Sequence, residues 1–131
     1  MRAAYIELTG AGIEKKDLDD SIEKTFIGGF GVNLRLACDL IRPGIPPLSP
    51  ENVMIVGAGP LVGTRVQAPR WTVVTKLPLG GSIGLNGGGA GFGVRLQHAG
   101  WDQLVISGRA PKPVYLRICD DDIEICDAGD L

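Results

Sequence analysis

The sequence contains few of the side chains that bind redox metals. Its 131 residues include three cysteines, Cys38, Cys119 and Cys126, and one histidine, His98. No two cysteines form a CxxC pair, and an odd number without a recognisable signal peptide fits reduced, buried thiols better than a disulfide framework. A zinc site would need all four residues without the usual close ligand pairing. An iron–sulfur cluster with four thiolate ligands is excluded from this chain.

The chain also has no large excess of charge and no long apolar run. It carries 13 Lys and Arg against 15 Asp and Glu, a net charge of -2, which does not provide the basic surface of a nucleic-acid-binding protein. No segment approaches the roughly 18 apolar residues of a membrane span, and residues 1–7 lack the apolar core of a signal peptide. We therefore expect a cytoplasmic protein that binds neither nucleic acid nor membrane. Because 44 % of the residues are hydrophobic, the chain can form one folded domain.

Glycine is the residue type present in excess, with 20 of 131 residues, about twice the usual ~7 %. Eight glycines lie between Gly80 and Gly93. Glycine leaves the backbone uncovered and tolerates positive φ, so main chain rich in it can approach a ligand closely. We predict a loop that cradles a ligand. The alternatives are a flexible loop or close packing of a helix on a sheet.

Apolar periodicity predicts a mixed order of strands and short helices. Residues 4–8 and 13–15 have the pattern of a hairpin, and residues 17–26 and 32–41 have helical spacing, the second ending before Pro43. A further helix over 89–99 would place its N-terminus next to the glycine run, where phosphate binds favourably. Asp120, Asp121 and Asp122 predict a hairpin turn, because the spacing of a calcium-binding loop is missing. The remaining strands are predicted over 52–56, 70–76, 103–107, 114–118 and 123–126.

The glycines at residues 57–64 superficially match a nucleotide-binding turn. Their spacing is GxGxxxG, Pro60 disfavours a following helix, and no acidic residue lies about 20 residues further on. The chain also lacks the Gly-Lys-Ser/Thr sequence of a P-loop. We therefore do not predict nucleotide binding here.

Six segments occur in the order found in the N-terminal domain of aldehyde ferredoxin oxidoreductases. The chain resembles this family of tungsten, sometimes molybdenum, pterin enzymes over essentially its whole length. The resemblance implies an α+β domain, largely two β-sheets with a few short helices, that forms the base for a metal bis-pterin cofactor. It also implies that residues 1–131 are an incomplete copy of that domain. The segments are 47–52 (PLSPEN), 59–64 (GPLVGT), 70–81 (RWTVVTKLPLGG), 86–88 (NGG), 99–102 (AGWD) and 108–115 (GRAPKPVY).

The same resemblance implies four cofactor-binding residues. Arg70 matches the family arginine at a strand start, where a guanidinium can hold phosphate or a pterin oxygen. Asn86, Gly87 and Gly88 match the family's Asn-Gly-Gly step. There the Asn86 carbonyl would help hold a Mg²⁺ ion that bridges the pterin phosphates, and Gly88 would offer its backbone to the cofactor. The alternatives are a surface ion pair for Arg70 and a turn for Asn86.

Family members oxidise aldehydes to carboxylic acids at the metal and pass electrons through a [4Fe-4S] cluster to ferredoxin. The cluster cysteines, the other pterin contacts and the proton-handling residues lie beyond the matched region, so we expect no catalytic residue, no bound cofactor and no turnover in this chain alone.

The partners that the resemblance implies are the remainder of the oxidoreductase, on the same or a separate polypeptide, ferredoxin and a small aldehyde. We also expect a homo-oligomer, because a surface that packs on the remainder would be exposed. The alternative function is a stand-alone scaffold or a module that binds a pterin or another phosphorylated ligand without catalysis.

Overall fold

The computed structural model describes residues 1–67 and 70–129. Six of the described strands form one mixed sheet in the order β2-β1-β6-β3-β4-β5, and β7 and β8 form a separate hairpin. The α+β class with two sheets and short helices is therefore confirmed. The elements are β1 (Arg2–Glu7), β2 (Gly12–Asp17), α1 (Asp20–Phe26), α2 (Gly29–Leu40), β3 (Met54–Ala58), β4 (Trp71–Lys76), β5 (Ile83–Gly88), α3 (Gly91–His98), β6 (Gln103–Ser107), β7 (Val114–Cys119) and β8 (Asp122–Asp127).

Local signals set the helix ends. Asp19 is the N-cap of α1, because its side chain accepts a hydrogen bond from the Ser21 amide at 2.7 Å. Helix α2 ends at Leu40, ahead of Pro43, which cannot donate the next helical hydrogen bond. None of the described helices combines the length and apolar character needed to cross a lipid bilayer.

The six-stranded sheet is covered on both faces. Helices α1 and α2 pack on one face and form a core with alternate residues of the strands, whereas α3 and the β7–β8 hairpin cover the other. Alternation along β4 therefore sends Val74 into the first core and Val73 into the second. The first core includes Val32, Leu36, Ile55, Val74 and Val105, and the second includes Ile6, Val56, Leu96, Trp101 and Leu104.

Trp101 holds the β7–β8 hairpin against the sheet. Its ring is fully buried, and its indole Nε1 donates to the Asp120 carbonyl oxygen at 2.9 Å. The Arg2 guanidinium lies 4.4 Å from the Trp101 ring centre and forms an ion pair with Asp121 at 2.7 Å. The three aspartates are exposed and belong to a hairpin turn, as predicted, and the contacts of Asp120 and Asp121 attach that turn to Trp101 and Arg2.

The glycine-rich run differs from its prediction as a loop. Residues Ile83–Gly88 form β5, which pairs with β4 along its whole length and lies at the edge of the sheet. Gly80 and Gly81 adopt φ values of 77° and 61° in the preceding turn, which lets the chain reverse there. The strand forms because its backbone hydrogen bonds to β4 outweigh the low strand preference of glycine.

The three cysteines are free thiols. Cys38 and Cys119 are exposed and Cys126 is half-buried, so the prediction of burial is wrong. Cys38 lies next to the buried stripe of α2 but outside it, because the buried residues of that helix end at Leu36 and Ala37.

Candidate cofactor-binding site

The β4–β5 hairpin brings three of the four predicted site residues together. Trp71 lies opposite Gly88, and Val73 lies opposite Asn86. Residues opposite each other in an antiparallel pair share a face of the sheet, so these four residues lie on the face that carries α3. Together with Gly87 they line an open hollow of about 330 Å³ at the edge of the sheet.

Trp71 fills the space that side chains at the neighbouring glycines would occupy. A Cβ atom on Gly88 would lie 2.7 Å from two carbons of the indole, and one on Gly93 would lie 3.2 Å from the Trp71 Cβ. The indole Nε1 donates to the Gly89 carbonyl oxygen at 3.1 Å, and the ring meets Phe92 edge to face at 5.0 Å. Gly88 is thus required for packing around Trp71 and a side chain on Gly93 would be crowded, whereas a Cβ on Gly89 would meet no atom within 4 Å.

Some backbone groups of β5 are hydrogen-bonded to β4 and others point away from it. The Leu77 amide donates to the Ser82 carbonyl oxygen at 2.9 Å. Because hydrogen-bonded pairs alternate along an antiparallel ladder, Val73 and Asn86 are also a hydrogen-bonded pair. Gly87 is out of that ladder, and its amide donates to Asn86 Oδ1 at 2.7 Å. The backbone carbonyl of Asn86 is therefore used in the ladder with β4. The carbonyl of its side-chain carboxamide lies outside the ladder, and Asn86 is exposed.

Arg70 is exposed and immediately precedes β4, one residue from the Trp71–Gly88 pair. It is not among the described residues that line the hollow. Arg70 lies outside β4, so the alternation of that strand does not set the direction of its side chain. The expected convergence of Arg70 with Asn86 and Gly88 on one surface therefore stays a prediction. Within the described chain no carboxylate lies in ion-pair distance of Arg70.

Helix α3 begins next to the hollow. Its N-cap, Ala90, has φ 62° and makes no side-chain hydrogen bond to the helix, and the first turn contains no acidic residue. The first amides of a helix carry partial positive charge and favour anions. The helix start therefore adds donors on the side where the glycine-rich strand ends.

The described residues contain no group of three or more His, Cys, Asp or Glu side chains that could hold a metal ion. A divalent cation at this hairpin would depend on isolated oxygens such as that of the Asn86 carboxamide and on oxygens of the cofactor itself.

Two residues of the hollow were missed by the sequence reasoning. Trp71 and Val73 supply its apolar wall, but in the sequence they belong to an unbroken run of strand formers. The available signal was the period-two alternation of a strand, which places Trp71 and Val73 on one face and Thr72 and Val74 on the other. Without knowing which strand lies beside β4, that alternation does not identify a site.

Comparison with known proteins shows where this domain occurs. A family profile described as "Aldehyde ferredoxin oxidoreductase, N-terminal domain" matches residues 3–131. A tungsten-containing aldehyde ferredoxin oxidoreductase of Pyrococcus furiosus is 40 % identical over 131 residues, covering 99 % of this chain and 22 % of the relative. An aliphatic sulfonate oxidoreductase, WOR-like subunit, of the same organism is 29 % identical over 126 residues, covering 94 % of this chain and 20 % of the relative.

A solved structure shares the fold. The active-site complex BamBC of benzoyl coenzyme A reductase, in complex with 1,5 dienoyl-CoA, superimposes with a TM-score of 0.95 at 32 % identity, covering 98 % of this chain and 20 % of that chain. The chain thus spans about a fifth of the length of these relatives.

Proposed function

The chain belongs to the family of aldehyde ferredoxin oxidoreductase N-terminal domains, and from this we propose that residues 1–131 form a cofactor-binding part of a tungsten- or molybdenum-pterin oxidoreductase. The complete enzyme would oxidise an aldehyde to a carboxylic acid with ferredoxin as electron acceptor. The rest of the oxidoreductase is its partner, and a [4Fe-4S] cluster would lie in that remainder. The chain by itself would contribute no catalytic residue.

One observation carries this proposal. The relatives are named for an aldehyde oxidoreductase, an aliphatic sulfonate oxidoreductase and a benzoyl coenzyme A reductase, yet the same domain occurs in each. A domain shared by proteins named for different substrates is best explained by a requirement that these proteins have in common. Binding of a cofactor is such a requirement, whereas recognition of one substrate is not.

The hairpin residues fit a large planar, phosphorylated cofactor. Trp71 and Val73 give an apolar wall, Asn86 gives an exposed carboxamide, and the uncapped start of α3 gives amide donors for an anion. Arg70, immediately before the start of β4, would supply an exposed cation for a phosphate or a pterin oxygen. The exposed Asn86 carboxamide oxygen, which accepts from the Gly87 amide, would help hold a Mg²⁺ ion beside the cofactor phosphates.

When bound, the pterin-held metal would supply the two-electron oxidation chemistry. The residues of this chain would bind and orient the cofactor. Gly88 contributes by leaving room for the Trp71 indole, which lines the hollow.

Tungsten and pterin content tests the proposal. In the oxidoreductase that contains this chain, Arg70→Ala should weaken cofactor retention by roughly 1–3 kcal/mol, the usual scale of a charge-assisted hydrogen bond, while the fold is retained. Metal is counted by mass spectrometry and pterin by fluorescence after oxidation, both per mole of purified protein.

Arg35→Ala is the matched control, because it also removes an arginine, here a partly exposed one, but lies on α2, where it pairs with Asp39. It should leave tungsten and pterin content unchanged. Full cofactor content in the Arg70 variant and in Asn86→Ala would contradict the proposal and favour the scaffold alternative.

A further inference from the structure

Two fully buried carboxamides face each other across a glycine in the middle of the sheet. Asn33 on α2 and Gln103 on β6 are both 0 % exposed, and Gly57 on β3 lies beside them. A Cβ atom on Gly57 would lie 1.9 Å from Gln103 Oε1 and 2.4 Å from Asn33 Oδ1. The two side chains therefore occupy the space that only a glycine leaves free.

This arrangement leaves three polar atoms without partners within the described chain: Asn33 Oδ1, Gln103 Oε1 and Gln103 Nε2. An unpartnered buried polar group costs free energy, so such groups are nearly always hydrogen-bonded. Half a turn of the Gln103 carboxamide exchanges its oxygen and nitrogen without changing its shape. The Nε2 donor then takes the position of Oε1 beside Gly57, where Asn33 Oδ1 also lies and where two acceptors cannot form a hydrogen bond with each other.

Asn33 is in turn bound to the next strand. Its Nδ2 donates to the Thr72 carbonyl oxygen at 3.0 Å and to Thr72 Oγ1 at 2.9 Å. Thr72 lies opposite Gly57 on one side and opposite Gly87 on the other. Gln103 lies opposite Gly57 as well, so one row of residues runs across the sheet from Gln103 to Gly87.

We propose that Gln103 donates a hydrogen bond to Asn33 across Gly57, and that this pair is a positioning device that fixes Thr72 and, through it, the Asn86–Gly88 segment of β5. The importance of this positioning for cofactor binding rests on the proposed function. The hydrogen bond itself and its effect on β5 do not depend on that function. The glycine that superficially suggested a nucleotide-binding turn is thus required to make room for Gln103.

The device is suited to the edge of the sheet because β5 has one neighbouring strand, β4, among the strands that the structure describes. A small shift of β4 would therefore move Gly87 and its neighbours, with no described strand on the other side to resist it. Asn33 hydrogen-bonds β4 to helix α2, which also packs on β3. The start of β4 is therefore held by α2 on one face of the sheet as well as by the neighbouring strand β3.

Nuclear magnetic resonance of the 131-residue chain without cofactor tests the proposal directly. In the unsubstituted protein the Gln103 side-chain amide protons should exchange with water at least about tenfold more slowly than those of an exposed glutamine, with contacts to Asn33. Fast exchange, or a water molecule between the two carboxamides, would overturn the hydrogen bond.

The positioning role is tested by Gln103→Met, which keeps the size but removes the donor. The Asn86 and Gly88 backbone amides should exchange at least about tenfold faster relative to amides of β1. Asn33→Leu should have a similar effect, and the double variant should change exchange by less than the product of the two single effects, because the residues act together.

Val105→Ala is the control, since Val105 is buried on the same strand and face as Gln103 but lies outside this row. It should speed exchange in β1 and β5 alike. An equal acceleration of β1 and β5 in Gln103→Met would show a general loss of stability and would overturn the positioning role. Since no cofactor is present, failure here leaves the Arg70 test of cofactor binding untouched.

Discussion

The two edges of the six-stranded sheet are built from opposite kinds of residue. The β2 edge has four charged residues in succession, Glu14, Lys15, Lys16 and Asp17, and all are exposed. The β5 edge has no charged side chain, contains three glycines and exposes Ile83 and Leu85 by 41 % and 51 %. Charged residues, lysine above all, keep an edge strand from pairing with another chain. The difference indicates that β2 remains in water and that β5 is the edge to be covered.

Packing at β5 gives the largest expected effect. Gly88→Val should destabilise the chain by about 1–3 kcal/mol, the usual cost of overpacking, because its Cβ would lie 2.7 Å from the Trp71 ring. Urea unfolding measures the loss. Gly89→Val is the matched control, since a Cβ there meets no atom within 4 Å, and it should change the unfolding free energy by less than about 0.5 kcal/mol. Equal losses in both variants would contradict the packing described for Trp71.

Self-association gives the next largest effect. We expect the isolated chain to form a homo-oligomer through β5, and Leu85→Lys should weaken that association about tenfold by placing a charge on the edge. Sedimentation velocity over a range of concentrations measures it. Leu61→Lys serves as control because Leu61 is 49 % exposed but lies in a loop. A monomeric unsubstituted chain at high concentration, or equal weakening by both variants, would remove β5 as the interface.

The smallest expected effect is a dependence of stability on pH at the β2 edge but not at the β5 edge. The Arg2 guanidinium holds the pKa of Asp121 below its ordinary value of 3.8, and the Lys15 ammonium of β2 donates to the Asp121 carbonyl oxygen. Because the folded-state pKa is the lower one, this stabilisation is full above the ordinary value and is lost as the pH falls through the folded-state value. No residue of β5 titrates.

Asp121→Asn should therefore reduce the loss of unfolding free energy that acid causes, and also the loss of protection of the β2 amides against exchange. The change in protection of the β5 amides between neutral and acid pH should be the same as in the unsubstituted chain. Urea unfolding and amide exchange, each at neutral pH and at a pH below the ordinary aspartate pKa of 3.8, measure these changes. The neighbouring Asp122→Asn, which removes no ion pair within the described residues, should retain the acid dependence. An unchanged acid response in Asp121→Asn would contradict the role of the Arg2 ion pair.

Most elements were predictable because their signals are local. Alternation found the β1–β2 hairpin, and apolar spacing with Asp19 and Pro43 nearby found α1 and α2 to within a few residues. The glycine run was mispredicted because strand β5 has little strand preference of its own and forms by pairing with β4. Asn33 and Gln103 likewise carry no local signal, since each is an ordinary residue in its own helix or strand.

The sequence by itself determined the family and the order of the elements other than β5, because ordered motifs and short-range periodicity do not depend on distant contacts. Only the tertiary structure decided that Trp71 covers Gly88, that Gln103 fills the space beside Gly57, and that β5 is an uncharged edge. These features depend on residues far apart in the chain, such as Asn33 and Thr72, which are 39 residues apart. Local patterns cannot specify such contacts, because the packing of helices and strands brings the residues together only when the whole sheet has formed.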